Sequence, residues 1–185
     1  MLARREPVTL RALAEGVGVS TMAVYTHFGG MPGLWRAVRQ EGFTRLAARI
    51  ARVPRSTDPV RDLAAYGAAY CANAVDNPAL YRAMFDAHAD LDDPAAADAS
   101  FGVLVATAER ARAAGRLAAG AEPQAVATQL WAAGHGLVSL VITGVLPAEA
   151  VDVHGPALAA GVFTAAGDEP ARCRRSVHKG WKGHR

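Results

Sequence analysis

The sequence is short of cysteine, aromatic residues and β-branched residues, and each shortage narrows the possible folds. Two cysteines in 185 residues, Cys71 and Cys173, do not make a disulfide framework, so a reducing cytosol is the simplest location. No stretch alternates between apolar and polar residues with the period of a β-strand, and no segment repeats at a fixed length. The 42 alanines favour helix instead. We therefore predict an all-α protein.

Motifs of catalysis, metal binding and export are also missing from the sequence. It contains no glycine-rich phosphate loop and no nucleophile elbow. Cys173, His178 and His184 do not have the spacing of a compact zinc site. The basic N-terminal stretch MLARREPVTL is not followed by the apolar run of a signal peptide. We therefore expect a cytoplasmic protein that is not an enzyme and uses no metal or cofactor.

Charge is distributed unevenly along the chain. Residues 1–57 carry a net charge of +6, residues 58–170 a net charge of −9, and the last 15 residues a net charge of +6. A basic segment on an acidic body suggests binding of a polyanion, although well-solvated arginine-rich helices would show the same asymmetry. We predict an N-terminal domain at 1–53 and a helical domain at 58–170. The tail at 171–185 is basic and without a clear apolar face, so we predict that it is disordered.

Helix starts are marked four times by a capping or acidic residue that precedes proline, the residue that suits the first helical position. The pairs are Asp58-Pro59, Asn77-Pro78, Asp93-Pro94 and Glu122-Pro123. Apolar residues with helical spacing follow each pair, as Leu63, Tyr66 and Tyr70 follow the first. This pattern predicts four helices in the helical domain.

Residues 9–28 contain the signals of two short helices separated by a tight turn. Thr9 can cap the segment LRALAEGV, which Gly18 ends, and Ser20 can cap the segment TMAVYTHF. This is the layout of a helix-turn-helix, whose second helix enters the major groove of DNA. The residues predicted to face outward are Thr21, Met22, Tyr25, Thr26 and His27. A generic pair of short helices would fit the spacing equally well.

The string VTLRALAEGVGVSTMAVYTHFGGMPGLWRAV resembles the DNA-binding domain of the TetR/AcrR family of transcriptional regulators. The matching features are T-L-R-x-L-A, G-V-S, V-Y-x-H-F, and Leu34 at the start of a long helix. The resemblance implies a homodimeric, ligand-responsive regulator, more often a repressor, that binds a palindromic operator in double-stranded DNA. The residues that it implies for DNA contact are Thr9, Arg11, Ser20, Thr21, Met22, Ala23, Tyr25, Thr26 and His27.

The N-terminal segment departs from the family in two places. Gly30-Met31 stands where the family usually has Ser-Lys, so a common phosphate-binding lysine is missing, and Arg36 or Arg39 is a possible substitute. The family has a first helix of about 15 residues at this point, whereas only MLARREPV precedes the segment that corresponds to its second helix, so we expect the first helix to be truncated. We expect Met1 to be a misassigned start or a truncation. The alternative is a truncated member that dimerises and binds a small molecule but does not bind DNA. Without a first helix to pack against them, we expect four apolar side chains to be more exposed to solvent, namely Leu13, Val17, Val24 and Phe28.

Two strings in the helical domain resemble a C-terminal subtype of the same family, which is named for its Trp-His-Gly element. They are NPALYRAMFD at 77–86 and LWAAGHGLVSL at 130–140. Residues 123–148 carry no charge, which permits a transmembrane span, but their polar content and the absence of a second span favour a buried helix. The family implies that this helix and the next, at about 153–166, pair with their copies in the dimer. The predicted interface residues are Gly134, Leu137, Val138, Val141, Leu158 and Val162.

Aromatic and polar residues of the helical domain are candidates for a ligand pocket. Trp131 and His135 lie at positions i and i+4 and therefore share one helix face. The residues predicted to line a pocket with them are Tyr66, Tyr70, Met84, Phe85, His88 and Phe101. The alternative is that these side chains simply fill the core, which is commoner than a cavity. If a pocket exists, its lining predicts a small apolar or aromatic effector. An unrelated helical enzyme or membrane-associated protein is the remaining rival interpretation.

Overall fold

The computed structural model describes residues 9–85, 91 and 95–182, and nine α-helices account for most of them. The described part contains no strand, so the all-α prediction is confirmed. The helices are α1 (Leu10–Val17), α2 (Thr21–Phe28), α3 (Met31–Ala51), α4 (Pro59–Asp76), α5 (Pro78–Met84), α6 (Ala95–Ala113), α7 (Pro123–Ile142), α8 (Ala150–Ala165) and α9 (Pro170–Lys182).

The predicted helix starts at residues 59, 78 and 123 are confirmed, and proline stands in the first turn at each of them. Asp58 caps α4, since its Oδ1 accepts hydrogen bonds from the backbone N–H groups of Val60 and Arg61, at 3.1 and 3.2 Å. Asn77 makes no such cap bond, because its side-chain amide donates to the carbonyl of Asn73 instead. The fourth proline lies outside the described residues, and α6 begins directly after it.

Helix α4 forms the centre of the molecule. It contacts α3, α5, α6, α7, α8 and α9, and its alanines let these neighbours approach closely. Val60, Leu63 and Cys71 are wholly buried on it. A helix that is buried on nearly all sides is the expected core of a helical domain.

The C-terminal segment is a docked helix, so the prediction of a disordered tail at 171–185 is wrong for the residues up to 182. In α9, Cys173, Val177 and Trp181 recur every four residues and are buried against α4 and α8. The small Gly180 faces the carbonyl oxygen of Arg61, where a Cβ would clash. The sequence signal was a narrow stripe of three apolar residues, which the many surrounding positive charges obscured.

A buried ionic cluster fixes the start of α9 to the start of α4. The guanidinium of Arg116, in the turn after α6, donates to both carboxylate oxygens of Asp168, at 2.9 and 2.8 Å. It also pairs with Asp58, which accepts a hydrogen bond from Ser176 as well. Burial opposes ionisation of Asp58, but the bonds from Ser176, the backbone of Arg61 and Arg116 hold its pKa below the usual value. The cluster therefore joins three segments that are distant in sequence.

Helix α7 is long and apolar enough to cross a membrane by length and composition, and 28% of its most apolar window is buried in the subunit. It packs against α4, α6 and α8. Leu137 and Val138 are buried inside the subunit, so the structure contradicts their prediction as dimer contacts. Gly134 faces Tyr70 and Cys71 across the core. Of the other predicted contacts, Leu158 is exposed, whereas Val141 and Val162 are half-buried.

Candidate functional site

Two short helices form the N-terminal part of the described chain, which we call the head (residues 9–30). Thr9 and Ser20 cap them as predicted, since their side-chain oxygens accept from the backbone N–H groups of Ala12 and Ala23, at 3.3 and 3.1 Å. Gly18 ends α1 in the left-handed conformation with φ of 72°, which favours glycine. The helices are separated by the three residues 18–20. This is the geometry of a helix-turn-helix.

The outer side of α2 is open to solvent. Met22 is 70% and Tyr25 58% exposed, and Thr21, Thr26 and His27 are also exposed. These five are the residues that the sequence predicts to face outward. Ala23 is half-buried. The hydroxyl of Thr26 donates to the carbonyl of Met22, at 2.9 Å, and so turns back along the helix.

The supporting helix α1 carries exposed apolar surface beside its charged residues. Arg11 is exposed and pairs with Glu15 one turn later, at 2.9 Å. Val17 is 74% exposed, and Phe28, at the end of α2, is 38% exposed. Val24 is buried, and Leu13 is half-buried. The inward side of α2 is therefore held by α1 and α3.

A cavity of about 390 Å³ lies between α3, α4, α6 and α7. Its volume falls in the range of binding sites for small molecules. Five of the eight predicted pocket residues line it, namely Tyr66, Tyr70, Phe85, Phe101 and Trp131. Met84 is wholly buried against Gly42 and belongs to the core, so its prediction as a lining residue is wrong. His88 lies outside the described residues.

His135 stands behind the cavity wall in a hydrogen-bonded cluster with two tyrosines. The hydroxyls of Tyr70 and Tyr81 are 2.7 Å apart, and Nδ1 of His135 lies 2.6 Å from the Tyr81 hydroxyl and 3.0 Å from that of Tyr70. Trp131 donates its indole N–H to Tyr70, at 3.2 Å. Burial lowers the pKa of His135 and raises that of Tyr70 to about 12. We therefore assign a neutral imidazole that accepts the Tyr81 proton, an arrangement that fixes the Tyr70 ring in the wall.

Sequence reasoning missed the contribution of α3 to the cavity. Arg39, Phe43, Leu46 and Ile50 all line it and recur at spacings of three and four residues. That stripe is visible in the sequence, but it lies in the predicted N-terminal domain at 1–53, away from the other predicted lining residues. Arg39 therefore faces the cavity and does not replace the missing phosphate-binding lysine.

Two further kinds of site, metal centres and reactive cysteines, find little support in the described part of the chain. No group of three or more His, Cys, Asp or Glu residues there is arranged to hold a metal ion. Both cysteines are free and buried. Burial raises the pKa of Cys71 to about 12, so its thiol is protonated at neutral pH.

Residues 63–163 match a family model described as "Tetracyclin repressor-like, C-terminal domain". The match spans more than half of the chain, beginning within α4 and ending within α8. The Trp-His-Gly subtype is not part of that description and stays a prediction. No curated protein is similar enough to the chain to match it.

Solved structures with the same fold extend the likeness to the head. A protein of unknown function from Rhodococcus sp. RHA1 superposes with a TM-score of 0.66 and 27% identity over 83% of this chain and 84% of that one. PfmR, a TetR family transcriptional regulator from Thermus thermophilus, superposes with a TM-score of 0.67 and 17% identity over 88% of this chain and 90% of that one. RolR in complex with resorcinol superposes with a TM-score of 0.63 and 15% identity over 95% of this chain and 86% of that one. The last two likenesses, at this identity, concern the fold.

Proposed function

The chain belongs to the tetracyclin repressor-like (TetR) family of transcriptional regulators, and on that premise we propose that it is a cytoplasmic, ligand-responsive repressor. It binds a palindromic operator as a homodimer and is released from DNA by a small apolar or aromatic effector. It acts through binding rather than catalysis. The alternative of a truncated member that does not bind DNA has no observation in its favour and becomes an outcome of the test below.

The observation that carries this proposal is the position of α3, which belongs to both sites. Its first turn packs against α2, where Gly33 lies so close to the carbonyl of Phe28 that a Cβ would clash. Its later turns supply Phe43, Leu46 and Ile50 to the cavity. A ligand that shifts α3 therefore shifts the reading helix with it. Because the ligand favours one of two arrangements, its effect on DNA binding is a population shift.

DNA recognition rests on the exposed side of α2 and the caps of both helices. Tyr25 and Thr21 offer hydroxyls that can donate to phosphates, and Met22, Ala23 and the methyl group of Thr26 offer apolar contacts to base edges. Two heads read a palindrome when their α2 helices are about 34–36 Å apart, one turn of DNA.

Exposed apolar side chains on α7 and α8 support the homodimer. Leu140 is 44% and Leu158 42% exposed, and the space beside Gly136 and Gly161 is open. The two helices contact each other within the subunit, so their outer faces form one surface. Pairing this surface with its copy gives a four-helix interface with twofold symmetry.

The cavity supports an effector of aromatic character. Six aromatic residues line it, namely Phe43, Tyr66, Tyr70, Phe85, Phe101 and Trp131. Aromatic rings favour offset or edge-to-face contacts with a planar ligand. RolR, which shares the fold, was solved with resorcinol, and a single-ring ligand of that size is compatible with the volume found here.

The test is a titration of the 185-residue protein on the DNA that flanks its own gene, at two salt concentrations. A shifted complex that weakens steeply with salt and prefers a palindrome supports the regulator. Tyr25→Ala should weaken that complex, whereas Arg174→Ala, on the exposed side of α9, serves as a matched control. A folded dimer that binds no DNA would favour the truncated alternative.

The dimer is tested separately by light scattering. The double variant Leu140→Asp with Leu158→Asp should be monomeric with unchanged helix content, because it places charges in an apolar interface. Val17→Asp, which places the same charge at an exposed apolar position in the head, should remain dimeric. A dimer that survives the double variant would refute this interface.

A further inference from the structure

We infer that the effector is an aromatic acid whose carboxylate binds Arg39. This inference rests on the proposed function and narrows its effector from aromatic molecules in general to those that carry a negative charge. Arg39 lines the cavity from α3 and faces a wall that is otherwise largely aromatic and aliphatic. The cavity thus has an apolar wall for the body of the ligand and a positive charge, on Arg39, for its carboxylate.

Arg39 differs from its neighbours on the same helix in having no counter-charge within the described part of the chain. Its Nε is buried and has no hydrogen-bond partner among the residues that the structure describes. Arg45 pairs with Glu41 at 2.7 Å, and Arg49 pairs with Asp76 at 2.6 Å. Guanidinium stays charged under all ordinary conditions, so an unpaired, partly buried one is costly until an anion reaches it.

The carboxylate in the described part of the cavity wall, that of Asp98, does not pair with Arg39. Asp98 also lines the cavity, but it is exposed at the first turn of α6 and makes no ion pair with Arg39. The start of a helix already stabilises a negative charge there. The hydroxyls of the wall carry no charge and are engaged: that of Tyr70 by Trp131, Tyr81 and His135, and that of Tyr66 by Thr107. Ser100, which also lines the cavity, has an interaction of its own. Arg39 is therefore the group left to recognise the charged end of a ligand, and guanidinium suits a carboxylate because it can bind both oxygens.

The position of Arg39 also links recognition of the acid to DNA release. It lies on α3 between Gly33, which packs against the end of α2, and Phe43, where the aromatic wall begins. An ion pair at Arg39 acts on the segment of α3 nearest the head. A neutral aromatic molecule would lack this ion pair and would act on α3 through apolar contacts with its later turns.

The experiment compares acids with their neutral amides by isothermal titration calorimetry on the full chain. The probes are benzoate, phenylacetate and 3-phenylpropanoate, each with its primary amide. The acids should bind the wild type about 10- to 100-fold more tightly than the amides, as expected for hydrogen bonds to a charged group. Arg39→Met should abolish that preference and leave amide affinity within about twofold, and Arg39→Gln repeats the test if the first variant folds poorly.

Arg45→Met is the matched control, since it removes an exposed arginine of the same helix and should retain the preference. Equal binding of acids and amides, retention of the preference in Arg39→Met, or failure of every acid to bind at millimolar concentration would each overturn the assignment. A gel shift with each probe separates the two proposals. Acid binding that depends on Arg39 but leaves DNA binding unchanged refutes the regulator alone, and release by amides without acid binding refutes the acid alone.

Discussion

The head and the body (residues 58–182) are stabilised in different ways. Helices α1 and α2 have eight residues each, and each buries one, Ala14 and Val24. Helix α4 alone buries 13 residues and contacts six other helices. The head therefore depends on its caps and on its attachment to α3, whereas the body depends on packing between distant segments.

This difference suits the two proposed tasks. Helices of eight residues are marginal by themselves, so the head is expected to open locally before the body unfolds. Because few of its residues are buried, the head can present most of α2 to DNA. A body whose helices are fixed from several sides can keep a cavity of about 390 Å³ open beside α3.

The largest expected effect lies in the body, at the ionic cluster of Arg116. Arg116→Met removes the cation that binds both carboxylate oxygens of the buried Asp168 and pairs with the half-buried Asp58. Asp168 then keeps only its contact with the more exposed Arg172, at 3.1 Å, so the free energy of unfolding should fall by about 3–5 kcal/mol. Urea titration measures the change. The surface pair of Arg112 with Glu109 provides the control, because Arg112→Met should cost less than about 1 kcal/mol. Equal losses in the two variants would show that the cluster does not hold the body together.

The second effect tests the docking of α9. In Gly180→Ala the new methyl group would meet the Arg61 carbonyl, so we expect a loss of about 1–3 kcal/mol. Gly102→Ala is the matched control on α6, where nothing lies near the position of the new Cβ. It should instead stabilise the body by about 0.5–1 kcal/mol, because alanine favours helix over glycine. If Gly180→Ala also stabilises, α9 is not packed against α4 in solution.

The helical architecture could be predicted from the sequence because its signals are local. Proline after a capping residue marks a helix start whatever surrounds it, and Thr9 and Ser20 cap their helices as expected. That α9 is a docked helix and not a disordered tail could not be predicted in this way. It depends on contacts between Trp181 and Gly155 and on Arg116, all far away in sequence.

The candidate cavity was predictable in part for the same reason. Trp131 and Phe101 stand out as aromatic residues on helices that belong to the body. Arg39 does not stand out as a cavity residue, because an arginine on a helix next to a DNA-binding motif suggests contact with phosphate. Its role depends on which side of α3 faces α4 and α6, and only the packed structure shows that. Leu137 and Val138 were misplaced because an apolar helix does not reveal which side faces its own subunit.

The third effect should be confined to the head. Ser20→Ala removes the bond to the backbone N–H of Ala23 and should destabilise α2 by about 1 kcal/mol. Hydrogen exchange should therefore speed up in α1 and α2, with protection in α4 unchanged. A comparable loss in α4 would mean that the head and the body unfold together.

The smallest effect is a change with pH that should come from the body. Burial lowers the pKa of His135 in the folded protein below the unfolded value of about 6.5. As the pH falls through that value, the unfolded chain takes up a proton that the folded chain refuses, so stability decreases. His135→Asn should reduce the slope of melting temperature against pH between about 7 and 5.5, and His154→Asn, an exposed histidine on α8, controls for the loss of a histidine. An unchanged slope in His135→Asn would show that His135 is not held neutral beside Tyr81, and the wall of the cavity would then owe its rigidity to packing alone.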